Sequence, residues 1–144
     1  MKATLHTDGG ARGNPGPAGI GAVLKISSSS ADKGEEQLLF KKYIGSNTNN
    51  QAEYMALLLG LEEAHKAGVT EIECYLDSEL VVKQLKREYK VKDGGLAILF
   101  VKVWNKMNDF KKVSFHHIRR EQNTLADKLV NEALDEHIKG KKLL

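Results

Sequence analysis

Four acidic residues stand at the borders of predicted secondary-structure elements. Asp8 lies toward the end of the first apolar run, and Asp77 ends a later one. Glu53 and Asp127 each lie in the first turn of a predicted helix. Unpaired carboxylates brought to one place repel each other, so either one of them takes up a proton or a cation joins them.

Each acid also has an ordinary structural explanation. The dipeptide Asp8–Gly9 could form a turn, and a glutamate near a helix start favours the positive end of the helix. Asp77 could be the N-cap of the helix that follows it. Asp127 stands three residues after Thr124, which is the spacing of a capping box. These local roles explain where each residue sits on its own element, but not why the acids should converge.

Polar and apolar patterns predict the elements that position these acids. Short runs rich in β-branched and apolar residues predict strands at 3–10, 20–27, 37–45, 71–77 and 112–118. Apolar residues at helical spacing predict helices at 47–68, 78–88, 96–110 and 124–138. The polar segment 27–36 predicts an exposed turn.

The resulting order is β-β-β-α-β-α-α-β-α, which indicates an α/β protein. Three strands that can form an antiparallel meander precede strands separated by helices, so we expect a five-stranded mixed sheet flanked by helices. The crossover helix should place strand four parallel to strand one. Ligands collect outside the carboxyl ends of such neighbouring strands. Asp8 and Asp77 should therefore meet there, and carboxylates without cysteine suit Mg²⁺ or Mn²⁺.

Composition limits the class of protein. The chain has 144 residues, of which 41% are hydrophobic and 28% charged, with a net charge of +3. We expect a single soluble domain over residues 1–144, with a core at about 2–136 and a basic tail at 137–144. No apolar run is long enough to cross a bilayer, and no signal peptide is indicated. Cys74 is the single cysteine, which fits a reducing, cytoplasmic setting and excludes a cysteine-cluster zinc site.

Other catalytic templates fit poorly. The glycine-rich stretch 6–21 matches neither the dinucleotide-binding nor the phosphate-loop spacing, and we expect the chain to turn around 14–16. The nucleophile elbow and the zinc-protease helix motif are both missing from the sequence. His116 and His117 alternate in direction on a strand, so both cannot face one ion.

The chain closely resembles the type 1 ribonuclease H family. Four segments carry the resemblance, in the family's order and over about residues 2–136: TDGGARGNPGPAGIGAVL, TNNQAEYMALLLGLEEA, YLDSELVVKQL and HIRREQNTLADKLVNEAL. The resemblance implies that RNA in an RNA–DNA hybrid is hydrolysed with a divalent metal, leaving 5′-phosphate and 3′-hydroxyl ends. It also implies a compact form, because KREYKVKDGG stands where some members insert a basic helix and loop.

The resemblance assigns the catalytic residues. Asp8, Glu53, Asp77 and Asp127 match the metal-binding acids, and His117, ten residues before Asp127, matches the catalytic histidine. We expect two Mg²⁺ or Mn²⁺ ions, with Asp8 bridging them. Glu53 and Asp77 would complete one site and Asp127 the other, while His117 would shuttle a proton or aid product release.

The resemblance also implies which residues bind the nucleic acid. Glycines near the first acid should let the hybrid backbone approach, polar residues before Glu53 should contact phosphate or the RNA minor groove, and the basic connector should contact phosphate. These residues are Gly9, Gly10, Gly13, Asn14, Thr48, Asn49, Asn50, Lys86, Arg87, Lys90 and Lys92.

Alternative functions stay open on the sequence alone. A hybrid-binding module without catalysis could use the same fold, although it would gain nothing from clustered acids facing phosphate. A nuclease that also accepts double-stranded RNA, or an exonuclease or integrase relative, is also compatible. We expect an RNA–DNA hybrid as substrate, a monomer, and neither a protein partner nor a membrane.

Overall fold

The computed structural model describes residues 1–27 and 35–143. Elements follow one another in the predicted order. The strands are β1 (Lys2–Ala11), β2 (Gly16–Ser27), β3 (Glu35–Asn47), β4 (Glu71–Leu76) and β5 (Lys112–His117). The helices are α1 (Asn49–Lys66), α2 (Glu79–Leu85), α3 (Gly94–Met107) and α4 (Thr124–Leu143), and a 3₁₀ turn spans Arg120–Gln122. Most of the predicted turn at 27–36 lies outside the described residues.

The strands form one mixed sheet in the order β3-β2-β1-β4-β5. β1, β2 and β3 pair antiparallel, β4 pairs parallel with β1, and β5 pairs parallel with β4. The predicted mixed sheet and the parallel neighbourhood of the first and fourth strands are confirmed. The carboxyl ends of β1, β4 and β5 therefore lie at the same edge of the sheet.

Helices pack on both faces of the sheet. Because side chains alternate along a strand, neighbouring residues of β2 pack against helices on opposite faces of the sheet. Leu24 joins the main core with Leu57 of α1, whereas Val23 packs against Leu129 of α4. Within the described ranges, no helix combines the length and apolar character that a membrane crossing requires.

Several boundaries differ from the sequence prediction. β1 continues to Ala11 and β2 begins at Gly16, so residues 12–15 form the turn between these strands. The dipeptide Asp8–Gly9 therefore lies inside β1. α2 ends at Leu85, and Arg87 then adopts a left-handed backbone with φ 64°. α3 begins at Gly94, because the Asp93 side chain accepts a hydrogen bond from the Leu96 amide at 3.0 Å.

The last helix runs further than predicted. α4 continues to Leu143, through most of the segment 137–144 that we interpreted as a tail. Lys41 of β3 contacts two acids of α4, Glu132 at 3.2 Å and Glu136 at 2.6 Å. These pairs are largely exposed, so they add little to stability.

Two glycines allow the helices to approach the sheet closely. A side chain at Gly9 would overlap the backbone carbonyl of Ala52 in α1. A Cβ at Gly21 of β2 would lie 2.6 Å from the Ala126 carbonyl oxygen of α4. Gly21 pairs with Asp8 across the sheet, so both helices are brought close to the strand position of the first acid.

We expect Gly9→Ala to destabilise the fold by about 1–3 kcal/mol, because α1 must move away from β1. Gly10→Ala is the matched control, since among the described residues its added Cβ would meet only Val130 Cγ1, at 3.9 Å. Urea unfolding of the metal-free protein measures both changes. Equal stabilities for the two variants would contradict the packing role of Gly9.

Candidate active site

The parallel pairing of β1 and β4 brings the two strand aspartates together. Thr7 lies opposite Leu76, and Asp8 and Asp77 follow these residues on the two chains. Together with Glu53 they form a tight group, in which one carboxylate oxygen from each acid lies within 4.8 Å of the others. Asp8 is therefore part of a carboxylate cluster on a strand, and the turn explanation for it is wrong.

The start of α1 delivers Glu53. Thr48 caps this helix: its hydroxyl oxygen accepts from the Gln51 amide at 3.1 Å, and Gln51 Oε1 accepts from the Thr48 amide at 2.8 Å. We had predicted that Glu53 lies in the first turn of this helix. Because the helix begins at Asn49, Glu53 instead follows the first turn. The Gly9 amide donates to Asp8 Oδ1 at 3.0 Å and to Glu53 Oε1 at 3.2 Å.

The remaining acid comes from α4. Asp127 lies in the first turn of this helix, as predicted, and it lines the same cavity as Asp8 and Glu53. Its backbone amide donates to the Asn123 carbonyl at 3.1 Å. The cavity has a volume of about 370 Å³ and is open to solvent. All four predicted acids therefore meet at the carboxyl edge of β1 and β4.

Burial dominates the electrostatics of the cluster. It raises the pKa of Asp8 to about 7, and the nearby charges of Asp77 and Asp127 act in the same direction. Burial, followed by the neighbouring Asp8, raises the pKa of Glu53 well above its usual value. Asp8 and Glu53 are exposed by only 6% each, so water does little to separate their charges. The metal-free cluster therefore retains protons near neutral pH.

The donor set fits a hard divalent cation. The converging atoms are carboxylate oxygens, the ligands that Mg²⁺ and Mn²⁺ prefer. Glu53 Oε2 is buried and has no hydrogen-bond partner among the described residues. Such an atom ordinarily has a partner, and a cation would supply one.

The neighbouring histidines have different surroundings. His117 is exposed, and its Nε2 lies 3.3 Å from the backbone carbonyl oxygen of Asp77, directly beside the acid cluster. The His116 ring stacks on Tyr75 with a centroid distance of 5.0 Å, and its Nε2 lies 3.0 Å from Ser114 Oγ. Only His117 contacts a residue of the cluster through its ring.

Two of the asparagines predicted to bind nucleic acid, Asn14 and Asn49, are linked to each other. Asn14 Oδ1 accepts from the Asn49 amide at 3.1 Å, and Asn49 Oδ1 accepts from the Ala11 amide at 2.8 Å. These bonds tie the β1–β2 turn to the start of α1. Since both side-chain oxygens are engaged within the protein, the NH₂ groups remain as donors. Asn49 and Asn50 line the acid cavity.

The predicted glycines divide into different roles. The space beside Gly9 is filled by α1, so packing against the helix is a reason for this glycine that the sequence did not indicate. Gly9 also lines the acid cavity, and its contact with the hybrid backbone stays a prediction. Gly10 lines the cavity and has room beside its Cα. Gly13 adopts φ 98°, a conformation that favours glycine in the turn before β2.

The basic connector forms a separate surface. Lys86, Arg87, Lys90 and Lys92 are all exposed, and none is among the described residues that line the acid cavity. Arg87 and Lys90 border a second concavity of about 480 Å³ between the connector and α3. The Arg87 guanidinium lies 5.7 Å from the ring centroid of Trp104.

The sequence analysis missed several residues at the site, of which Arg120 and Asn123 are polar residues beside the acids. Arg120 is exposed and lines the acid cavity from the 3₁₀ turn, which was not predicted. Asn123 is buried and contacts Asp77 through its side chain. Asn123 precedes a predicted helix, and this position ordinarily indicates a cap, so its pattern carried no other signal.

A mixed sheet in this order, with carboxylates meeting where β1 and β4 end, defines the ribonuclease H-like class of folds. Residues 6–133 match the family model described as Reverse transcriptase-like. The chain is 42% identical over 135 residues to the "Bifunctional protein Rv2228c" of Mycobacterium tuberculosis, a match that covers 94% of this chain and 36% of that protein.

Solved structures of ribonuclease H proteins are also similar, over nearly their whole length. RNase H1 from the halophilic archaeon Halobacterium salinarum is similar with a TM-score of 0.85 and 40% identity, covering 94% of this chain and 99% of that one. LC11-RNase H1, solved in complex with an RNA/DNA hybrid, is similar with a TM-score of 0.83 and 42% identity over the same shares. The chain belongs to the type 1 ribonuclease H family. It spans about a third of the length of its mycobacterial relatives.

The raised pKa of Asp8 predicts how stability depends on pH. An unfolded aspartate titrates near pH 4, whereas Asp8 in the folded state titrates at about 7. The folded state thus binds more protons in this window, so the unfolding free energy of metal-free protein should fall as pH rises through it. We expect Asp8→Asn to be more stable than wild type by about 1–3 kcal/mol at pH 8, and similar to it at pH 4.

Urea unfolding in EDTA at both pH values checks this expectation. Asp109→Asn is the matched control, because Asp109 is a surface aspartate paired with Lys106 at 3.1 Å. If Asp8→Asn changed stability equally at pH 4 and pH 8, the buried charge of Asp8 and its repulsion by the neighbouring acids would not be the cause.

Proposed function

We propose that the chain is a metal-dependent endonuclease that hydrolyses the RNA strand of RNA–DNA hybrids and leaves 5′-phosphate and 3′-hydroxyl ends. The observation that carries this proposal is the convergence of Asp8, Glu53 and Asp77 within 4.8 Å at one edge of the sheet. A module that only bound nucleic acid would gain nothing from such a cluster, because carboxylates repel phosphate.

The choice of substrate draws on a relative. LC11-RNase H1 was solved with an RNA/DNA hybrid, and this chain is 42% identical to it. In this chain, Asn14 and Asn49 are exposed and their side-chain oxygens are already bonded, so these side chains would offer their NH₂ groups as donors. Donors suit the 2′-hydroxyl oxygens that a hybrid displays in its wide minor groove.

The acids of the cluster would hold Mg²⁺ or Mn²⁺, and we propose two ions per site. Asp8 would contact both ions, Glu53 and Asp77 would complete one site, and Asp127 would complete the other. Bound ions of this kind supply Lewis acidity, which activates water and stabilises the charge on the leaving 3′ oxygen. The raised pKa values of Asp8 and Glu53 support this assignment, because a bound cation replaces the protons that the metal-free cluster needs.

The other residues would bind the substrate and move protons. His117 is exposed beside Asp77 and can carry a proton between the site and solvent. Asn49 and Asn50 line the cavity at the start of α1, which Thr48 caps, and we propose that these three residues contact phosphate or the RNA minor groove. The exposed cations of the connector, Lys86, Arg87, Lys90 and Lys92, would contact phosphates further from the cut.

The setting of the protein is part of the same proposal. Cys74 is a free cysteine buried in the core, and burial raises the pKa of its thiol. Such a thiol neither needs nor forms a disulfide, which suits a reducing cytoplasm. We also propose that the chain acts as a monomer, since the acid cluster is formed by one copy.

A cleavage assay with labelled substrates tests the proposal. We expect the RNA strand of a hybrid to be cut with Mg²⁺ or Mn²⁺ and not in EDTA, and duplex DNA to remain intact. Asp77→Asn should reduce the rate by at least about two to three decades, the scale of losing a charged group that acts in the transition state. Asp109→Asn, far from the cluster, should retain the wild-type rate.

The same assay separates the alternatives. Cleavage of double-stranded RNA at a comparable rate would assign the broader nuclease activity. Binding of the hybrid without cleavage under any metal condition would assign the non-catalytic module. Robust cleavage in EDTA would refute the metal dependence.

The adjacent histidines provide an internally controlled test of proton transfer. We expect His117→Ala to slow turnover by about one to two decades, the scale of a general acid–base contribution. His116→Ala should change turnover little, because its ring is held by Tyr75 and Ser114 away from the acids. Steady-state kinetics on a hybrid measures both variants, and equal losses would refute the distinction.

A further inference from the structure

Asn123 joins the elements that carry three of the four acids. Its Nδ2 donates to the Thr7 carbonyl at 2.9 Å and to Asp77 Oδ2 at 3.2 Å. Thr7 directly precedes Asp8 in β1. The backbone carbonyl of Asn123 accepts from the Asp127 amide at 3.1 Å and so begins α4. One residue therefore contacts β1, the end of β4 and the helix that delivers Asp127.

The orientation of the side chain is not that of a helix cap. An asparagine before a helix ordinarily uses Oδ1 to accept from an amide of the first turn. In Asn123, Oδ1 is buried and has no partner among the described residues, while Nδ2 makes both contacts. Exchanging the two atoms would place an oxygen against two other oxygens, so the partners themselves determine the orientation.

These contacts constrain the carboxylate of Asp77. Asp77 is half-buried and belongs to the group of three acids within 4.8 Å. A carboxylate in repulsion with its neighbours rotates away unless a donor holds it. Asn123 is exposed by only 2%, so its side chain is fixed by packing and provides such a donor in a constant position.

We propose that Asn123 is a positioning residue of this active site, which holds the Asp77 carboxylate toward Asp8 and Glu53 and thereby sets the affinity for the divalent cation. This inference rests on the proposed function, because it names a further residue of the same site. Asn123 does not touch the substrate and acts through Asp77.

The test compares Asn123→Ala with Gln84→Ala. Gln84 is a matched control: it is also a buried amide, exposed by 5%, and its Oε1 accepts from the Tyr54 hydroxyl at 2.6 Å, in the core between α1 and α2. Both substitutions leave a buried polar group unsatisfied, so both should lower thermal stability. Only Asn123→Ala should alter the site.

We expect Asn123→Ala to weaken Mn²⁺ binding about 10–100-fold, the usual effect of removing a partner of a metal-binding side chain. Isothermal calorimetry on the folded proteins without substrate measures this affinity. At saturating hybrid and a temperature where both variants are folded, kcat should fall about tenfold or more at a fixed, subsaturating Mg²⁺ concentration, with KM for the hybrid nearly unchanged. Gln84→Ala should match wild type within about twofold in both measurements. Wild-type Mn²⁺ affinity and wild-type kcat in Asn123→Ala would overturn the proposal.

Nuclear magnetic resonance of the wild-type protein provides a second test if Asn123→Ala does not fold. A Mg²⁺ titration should shift the side-chain NH₂ signals of Asn123 and leave those of Gln84 in place. Unshifted Asn123 signals in a protein that binds Mg²⁺ would also overturn the inference. A wild-type protein that binds Mn²⁺ but cuts no hybrid would refute the proposed function alone, because the calorimetric comparison would still decide the role of Asn123.

Discussion

Carboxylates that meet in a poorly solvated space repel one another, and the structure around the site is arranged to hold them there. The acids come from β1, α1, the end of β4 and α4, so the repulsion pushes apart the layers of the fold themselves. Core packing on both faces of the sheet opposes this separation. The close approach of α1 at Gly9 and of α4 at Gly21 leaves the helices little freedom to relax. Protons or cations therefore neutralise the repulsion between the carboxylates, and the packing of the helices on the sheet holds the carboxylates together.

Most of the architecture follows from local patterns in the sequence. Strands β1 to β5 and the four helices show clear periodicity in their apolar residues. The crossover helix between β3 and β4 then favours β1 as the parallel neighbour of β4. The four acids were found because they stand at the borders of these elements. The reason for Gly9 and the contacts of Asn123 could not be predicted, because they depend on which helix packs on which face and on the rotation of one amide. Arg120 was missed because the short 3₁₀ turn that carries it has no periodicity of its own.

The asparagine pair shows how the protein restricts what its surface can recognise. The side-chain oxygens of Asn14 and Asn49 accept hydrogen bonds from the Asn49 and Ala11 amides, respectively. These bonds link the β1–β2 turn to α1. The same bonds remove acceptors from the binding face and leave donors. A surface that presents mainly donors prefers acceptor-rich groups such as phosphate and sugar oxygens. Under the proposed function, the same two side chains would therefore serve both structural bracing and recognition of the substrate.

The position of α4 in the chain also has a consequence for biosynthesis. Asp8 is translated before Asn123 and Asp127, which follow it by more than a hundred residues. The sheet can form beforehand, because β5 ends at His117. A nascent chain that has not yet released α4 has an acid cluster with one wall and one carboxylate missing. Order of synthesis alone thus separates folding of the sheet from the appearance of a complete site.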